Sequence, residues 1–191
     1  MNIRRTKLDG FFELTPEPYT DERGFFVRLY DEQVFRKLGL RTTWVQESHS
    51  HSIRGGIVRG LHIQFPPYTE GKLIRAIRGK ALWVAVDLRK GSPTFGQWDS
   101  ILLSDELKNS MYAEPGFAHG HVSLTPCDLV IKASSYYAPG HDTGIRWDDS
   151  DLRIDWKLGD TAPFLRERDK NYPTFREFKE TYGAIDINEL K

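Results

Sequence analysis

Cysteine is nearly missing from this chain: Cys127 is the single one among 191 residues, which excludes an internal disulfide. It lies in a strand-like run without a second cysteine or a nearby histidine, so it reads as a packing residue, neither nucleophile nor zinc ligand. An excess of one charge is missing too. Lys and Arg number 27, Asp and Glu 27, so no global field points to nucleic acid or an anionic membrane, and an anion site has to be assembled locally. No run approaches the roughly 18 apolar residues that span a bilayer. Met1-Asn-Ile-Arg-Arg-Thr-Lys lacks the apolar core of a secretory signal, and a cytoplasmic protein is expected. There is no internal repeat, low-complexity tract or linker, and 22.1 kDa is enough for one domain, residues 1–191, with a sizeable core.

What is present is a succession of short strand signals. Extended candidates at 2–6 and 11–15 precede the Pro16/Pro18 turn, and they suggest an N-terminal arm, about residues 1–20, available to a neighbouring subunit's sheet edge. A strand is expected at 25–30 and a short helix at 32–38, capped by Asp31 and ended by Gly39. Strands then follow at 42–50, 56–64, 72–78, 81–88, 98–103, 109–113, 117–124 and 128–135, punctuated by turns such as Gly55-Gly56, Pro66-Pro67 and Pro115-Gly116. Without βαβ alternation the pattern is all-β, a sandwich or barrel, with a C-terminal helical tail at about 173–191. Aromatic content of 13% serves both such a core and stacking on flat ligands.

The centre of the chain is residues 55–75, two strands joined at Pro66-Pro67 that gather Arg59, His62, Gln64 and Lys72. Strict two-residue alternation sends Arg59 and His62 to opposite faces; a bulge at Gly60 brings both to one cavity.

With its surroundings this stretch resembles the dTDP-4-dehydrorhamnose 3,5-epimerase family of cupin-fold sugar-nucleotide epimerases. The resemblance rests on Asp21-Glu-Arg-Gly-Phe-Phe26, Val58-Arg-Gly-Leu-His62, Gly71-Lys-Leu-Ile-Arg75, Val84-Ala-Val-Asp-Leu-Arg89, Ser92-Pro-Thr-Phe-Gly96, Gly116-Phe-Ala-His-Gly120, Tyr136-Tyr137 and Glu167-Arg-Asp169, in order and with the family's spacing to within a residue or two. It implies a cupin-type jelly roll with a few short peripheral helices, a homodimer, no cofactor and no metal. It implies epimerisation next to a ketone of a nucleotide-linked 4-keto-6-deoxyhexose. His62 is then the base, Asp169 the carboxylate that orients it, and Lys72 the cation that stabilises the enolate. Arg23, Gln46, Arg59 and His119 match residues that contact the nucleotide diphosphate and sugar. Asp142 and Arg168 keep the charge of their counterparts, Tyr137 matches the residue that stacks on the base, and Phe26 reads as a core aromatic.

This chain departs from the family at three of these positions. Ser48 stands where the family usually has asparagine, and Arg28 where it has a glutamate near the sugar. Ile131, in Leu129-Val-Ile-Lys132, stands where the family has its catalytic tyrosine, and it shares a strand face with Tyr137. With the base kept and the acid lost, three outcomes are open: another donor such as His121 or water completes inversion at one carbon or both; protons return from the base side; or the ketone migrates, making a 3,4-ketoisomerase. Two rivals stand outside the family reaction, a non-catalytic sugar-nucleotide binder and a metal-dependent cupin using His49/His51 and His119/His121. Parity opposes the metal, because Gln46 and Ser48 lining the pocket turns His49 and His51 away.

Overall fold

Short strands with glycine and proline between them bury their apolar sides by stacking sheets. The computed structural model describes residues 1–189. Its strands are β1 (Asn2–Arg5), β2 (Phe11–Thr15), β3 (Tyr19–Asp21), β4 (Gly24–Phe26), β5 (Gln46–Ser52), β6 (Val58–Gln64), β7 (Lys72–Arg78), β8 (Lys80–Asp87), β9 (Trp98–Ser104), β10 (Ser110–Ala113), β11 (Phe117–Ser123), β12 (Cys127–Ala133) and β13 (Asp142–Gly144). The helices are α1 (Glu32–Lys37), α2 (Glu167–Lys170) and α3 (Phe175–Tyr182). A six-stranded sheet, β1-β2-β10-β7-β12-β5, faces a five-stranded one, β13-β6-β11-β8-β9, and β3 and β4 form a separate hairpin.

Alternation on the strands builds three apolar layers. Ile74, Trp83, Ile101, Met111 and Leu129 point between the sheets, with Cys127 buried among them as a packing residue. Val58, Leu61, Val84 and Val122 face outward from the five-stranded sheet and meet Trp156, Phe175 and Phe178. On the other side Leu14, Leu73 and Tyr112 cover Phe35 of α1. Fully burying a side chain such as Phe35 or Phe178 stabilises the fold by about 1.5–3 kcal/mol. Asp31 caps α1 by accepting from Gln33 and Val34, and Thr174 with Glu177 forms a capping box on α3.

Several expectations need correcting. The strand expected at 42–50 starts only at Gln46, and that at 25–30 ends at Phe26. Phe26 is exposed on its hairpin and outside the core. The strands expected at 2–6 and 11–15 are present as β1 and β2, which pair with each other and, through β2, with β10 of the same chain, leaving β1 as an edge strand of the six-stranded sheet. β13 and α2 carry too little periodicity to be seen in sequence; each is held by tertiary contacts.

Gly60 makes the expected bulge. His119 pairs with His62 and His121 with Arg59, so Gly60 and Leu61 together oppose Gly120 alone. Gly60 has φ +109°, and a Cβ there would lie 2.7 Å from the His119 carbonyl oxygen, so only glycine fits.

Candidate active site

Between the sheets the apolar packing gives way where Arg59, His62, Glu70, Lys72, His119 and His121 help line a cavity of about 300 Å³. β6 delivers Arg59 and His62 to it through the Gly60 bulge, β7 delivers Lys72 at its first residue, and β11 delivers His119. That volume is at the lower end of ligand pockets.

His62 Nε2 lies 3.0 Å from Asp169 Oδ1. The carboxylate sits on α2, is 4% exposed, and its other oxygen accepts from the Gly60 backbone N–H at 3.4 Å. Burial pushes the Asp169 carboxyl up, but the hydrogen bond and charge of His62, with Gly60 N–H and Arg168, outweigh it and hold the group below its ordinary range. The ionised carboxylate accepts a hydrogen bond from Nε2–H of His62, which leaves Nδ1 as the basic nitrogen. Tyr172 stands edge-on to the imidazole at 5.7 Å and fixes its plane.

Lys72 Nζ is 2.6 Å from Glu70 Oε1, with both side chains only 12% exposed. Burial raises Glu70 against the pull of Lys72. Glu70 escaped the sequence reading because it lies in a loop without periodicity; its one signal was its place two residues before Lys72.

Tyr137 is set by two amides. Gln46 Oε1 accepts from the Tyr137 backbone N–H at 2.6 Å, and Gln64 accepts from Ala138 N–H at 2.7 Å while donating to the carbonyls of Tyr68 and Tyr136. Across the mouth Arg168 pairs with Asp142. His119 donates from Nδ1 to the Phe117 carbonyl at 3.3 Å, and burial, reinforced by the charges of Lys72 and His62, keeps it neutral well below the usual histidine range. Ile131 lines the cavity together with Tyr137, as alternation predicted.

Not every expected residue is here. Arg23 is 82% exposed and paired with Asp21, and Arg28 is 67% exposed beside Asp31, so within one chain neither reaches the cavity. Ser48, opposite Ile131 on β5, is exposed, and Ser50 lines the cavity instead. His49 and His51 turn away and share Asp128 Oδ1 at 2.8 and 2.9 Å. Among the described residues no three His, Cys, Asp or Glu side chains are placed to hold a metal ion.

A family model described as dTDP-4-dehydrorhamnose 3,5-epimerase matches residues 5–177. The dTDP-4-dehydrorhamnose 3,5-epimerase of Methanothermobacter thermautotrophicus is 43% identical over 175 residues, 91% of this chain and 94% of that protein. The rmlC epimerase of Mycobacterium tuberculosis superimposes with a TM-score of 0.93 at 32% identity, covering 98% of this chain and 95% of that one. The Legionella pneumophila dTDP-6-deoxy-D-glucose-3,5-epimerase, solved with dTDP-4-keto-L-rhamnose, gives 0.89 at 36% identity, with 97% of each chain covered. The fold is therefore a cupin-type β-sandwich, and the chain belongs to the dTDP-4-dehydrorhamnose 3,5-epimerase family.

Proposed function

We propose that this chain is one cupin-like domain that epimerises a nucleotide-linked 4-keto-6-deoxyhexose, most plainly a dTDP-hexose, without metal or cofactor, in deoxysugar biosynthesis in the cytoplasm. The observation that carries the reading is His62, backed by Asp169, meeting Lys72 in one cavity. Nδ1 of His62 removes the proton next to the ketone. The Lys72 ammonium stabilises the enolate oxygen, and Glu70 keeps that ammonium in place. His49 and His51, held by Asp128 on the far side of β5, support a mechanism without metal.

Inversion needs a proton from the opposite face, and Ile131 has none to give. That side chain favours epimerisation at a single carbon, with water as donor, and it is the one feature that favours a 3,4-ketoisomerase as the second reading. Arg23 and Arg28 reach substrate only if a second protomer brings them. The exposed Tyr19, Phe25 and Phe26 on the β3–β4 hairpin offer the apolar surface for a homodimer that does so.

The test is solvent deuterium incorporation at each sugar carbon of a dTDP-4-keto-6-deoxyhexose. His62→Ala is expected to stop incorporation at every carbon; incorporation at the wild-type rate overturns the assignment of the base.

A further inference from the structure

The cavity has two walls, and the base stands on one of them. His62 reaches it from β6 of the five-stranded sheet, whereas Lys72 on β7 and Ile131 on β12 belong to the six-stranded sheet opposite. A proton that inverts the carbon has to arrive from that second wall, where Ser50, Glu70, Lys72, Ile131 and Tyr137 line the cavity. Ile131 carries no acid, and the Ser50 hydroxyl is a far weaker acid than a carboxyl. The Lys72 ammonium is engaged with the enolate oxygen, and Tyr137 stands 56% exposed at the mouth. Glu70 remains. His121, on the same sheet as His62, is no substitute: burial, then the charges of Arg59 and His62, push it down to about 3, so it has no imidazolium proton to deliver.

Glu70 reaches this wall by the alternation that also places Lys72. β7 pairs with β12, Lys72 opposite Ala133 and Ile74 opposite Ile131, and the pairing runs on past the strand end. Gly71 N–H donates to Ser134 Oγ at 2.8 Å, and the Gly71 carbonyl accepts from Ser134 N–H at 3.1 Å. Two residues before Lys72 on this paired stretch, Glu70 shares a face with Lys72 and Ile74, which is also the face of Ile131 on the neighbouring strand. Its side chain is 12% exposed and meets Lys72 Nζ at 2.6 Å. Burial outweighs the charge and hydrogen bond of Lys72 and the charge of His62, and it lifts the Glu70 carboxyl above its ordinary range. When a ketone oxygen draws the ammonium away, burial is left and favours the neutral acid. The charge that His62 gains by taking the substrate proton then loosens the Glu70 proton at the step that uses it.

We propose that Glu70 supplies, through a water standing beside Ile131, the proton that inverts the carbon. The inference rests on the epimerase reading of the site and names the group behind its water donor. His62 Nδ1 takes the C–H proton and the electron pair moves onto the ketone oxygen, held by Lys72. The water then gives a proton to the opposite face of the carbon as the C=O bond re-forms, and the Glu70 O–H bond breaks to restore the water. Glu70 is left as a carboxylate facing the Lys72 ammonium, and solvent returns one proton to it while removing one from His62.

The test follows dTDP-4-keto-6-deoxyglucose by NMR in D₂O and compares inverted product with substrate deuterated without inversion. Glu70→Gln keeps an oxygen for Lys72 but no acid. Exchange is expected to fall by up to about tenfold, because a neutral acceptor holds the ammonium less firmly. The ratio of inversion to exchange is expected to fall by about a further 10². Glu70→Asp, an acid on a shorter arm, should regain part of that ratio. In an Ile131→Tyr background, where a phenol gives the proton directly, Glu70→Gln should leave the ratio within about threefold, the non-additivity of two groups that share one role. If exchange and inversion fall by the same factor, or the ratio drops equally in both backgrounds, Glu70 serves only to hold Lys72 and the proposal is wrong. Exchange without inversion in wild type also overturns it while leaving the base in place. If wild type incorporates no deuterium at all, the epimerase reading fails and takes Glu70 with it. Should Glu70→Gln fail to fold, Glu70→Asp carries the same comparison in both backgrounds, with a smaller drop expected.

Discussion

Asp169→Asn changes one atom behind the base and isolates what the carboxylate does. Asp169 now receives two donors, His62 Nε2–H at 3.0 Å and Gly60 N–H at 3.4 Å. An asparagine has one oxygen for both. If the oxygen stays with Gly60, the amide NH₂ faces His62 Nε2, forces it to accept, and moves the imidazole proton to Nδ1, the nitrogen that must be free to take a substrate proton. If the oxygen stays with His62, the NH₂ is driven against the Gly60 N–H. The charge-assisted hydrogen bond alone is worth about 1.5–3 kcal/mol, roughly 10- to 150-fold in rate. A tautomer error behind a catalytic histidine costs about 10⁴ in the serine-protease case. Deuterium incorporation should therefore fall between about 10² and 10⁴, with KM nearly unchanged because the amide does not touch substrate. Loss of the charge-assisted hydrogen bond should lower Tm by about 3–12 °C, at roughly 2–4 °C per kcal/mol for a chain of this size. An Asp169→Asn enzyme that exchanges within threefold of wild type refutes the orienting role.

Two further outcomes follow from particular groups. Ile131→Tyr, which places a phenol on the cavity wall, is expected to leave exchange at the abstracted position within a few fold of wild type and to raise the ratio of inversion to exchange by about 10²; an unchanged ratio by NMR of the products would show that the lost acid is not what limits inversion. His119 and His121 are both held below their ordinary range, so on acidification the unfolded chain takes up protons that the folded one refuses. Stability is then unaffected above about pH 6.5 and is lost below it, by up to about 1.4 kcal/mol per pH unit for each imidazole, and urea midpoints between pH 7.5 and 4.5 should fall less steeply in His121→Phe.

Much of this could be read from residues because alternation carries both the fold and half of the site. The period of two in Leu129-Val-Ile-Lys132 put Ile131 in the cavity, and the same parity turned His49 and His51 away from Ser50. The Gly60 bulge was legible because Arg59 and His62 are otherwise on opposite sides. Glu70 was not legible, lying in a loop where no period assigns a face. Trp83 sits in the unbroken apolar run Ala81-Leu-Trp-Val-Ala-Val86, which shows that it is buried and hides that its N–H has no partner. Arg23 and Arg28 came from resemblance alone; their own hairpin and loop hold them in solvent, on ion pairs with Asp21 and Asp31, and nothing in the local sequence tells a surface arginine from one that works across a subunit boundary.

The irregularity at Gly60 also sets how this site tolerates change. Removing the glycine would leave Arg59 opposite His121 and His62 opposite His119, and every inward side chain would keep its face in a straighter strand. What would vanish is the main-chain amide that now reaches Asp169. Orientation of the base is thus tied to a backbone atom, which no exchange of side chains can delete. Point substitution can reshape the opposite wall, as Ile131 illustrates, whereas at Gly60 any side chain would meet the His119 carbonyl oxygen, so this part of the His62 side admits neither substitution nor deletion without loss.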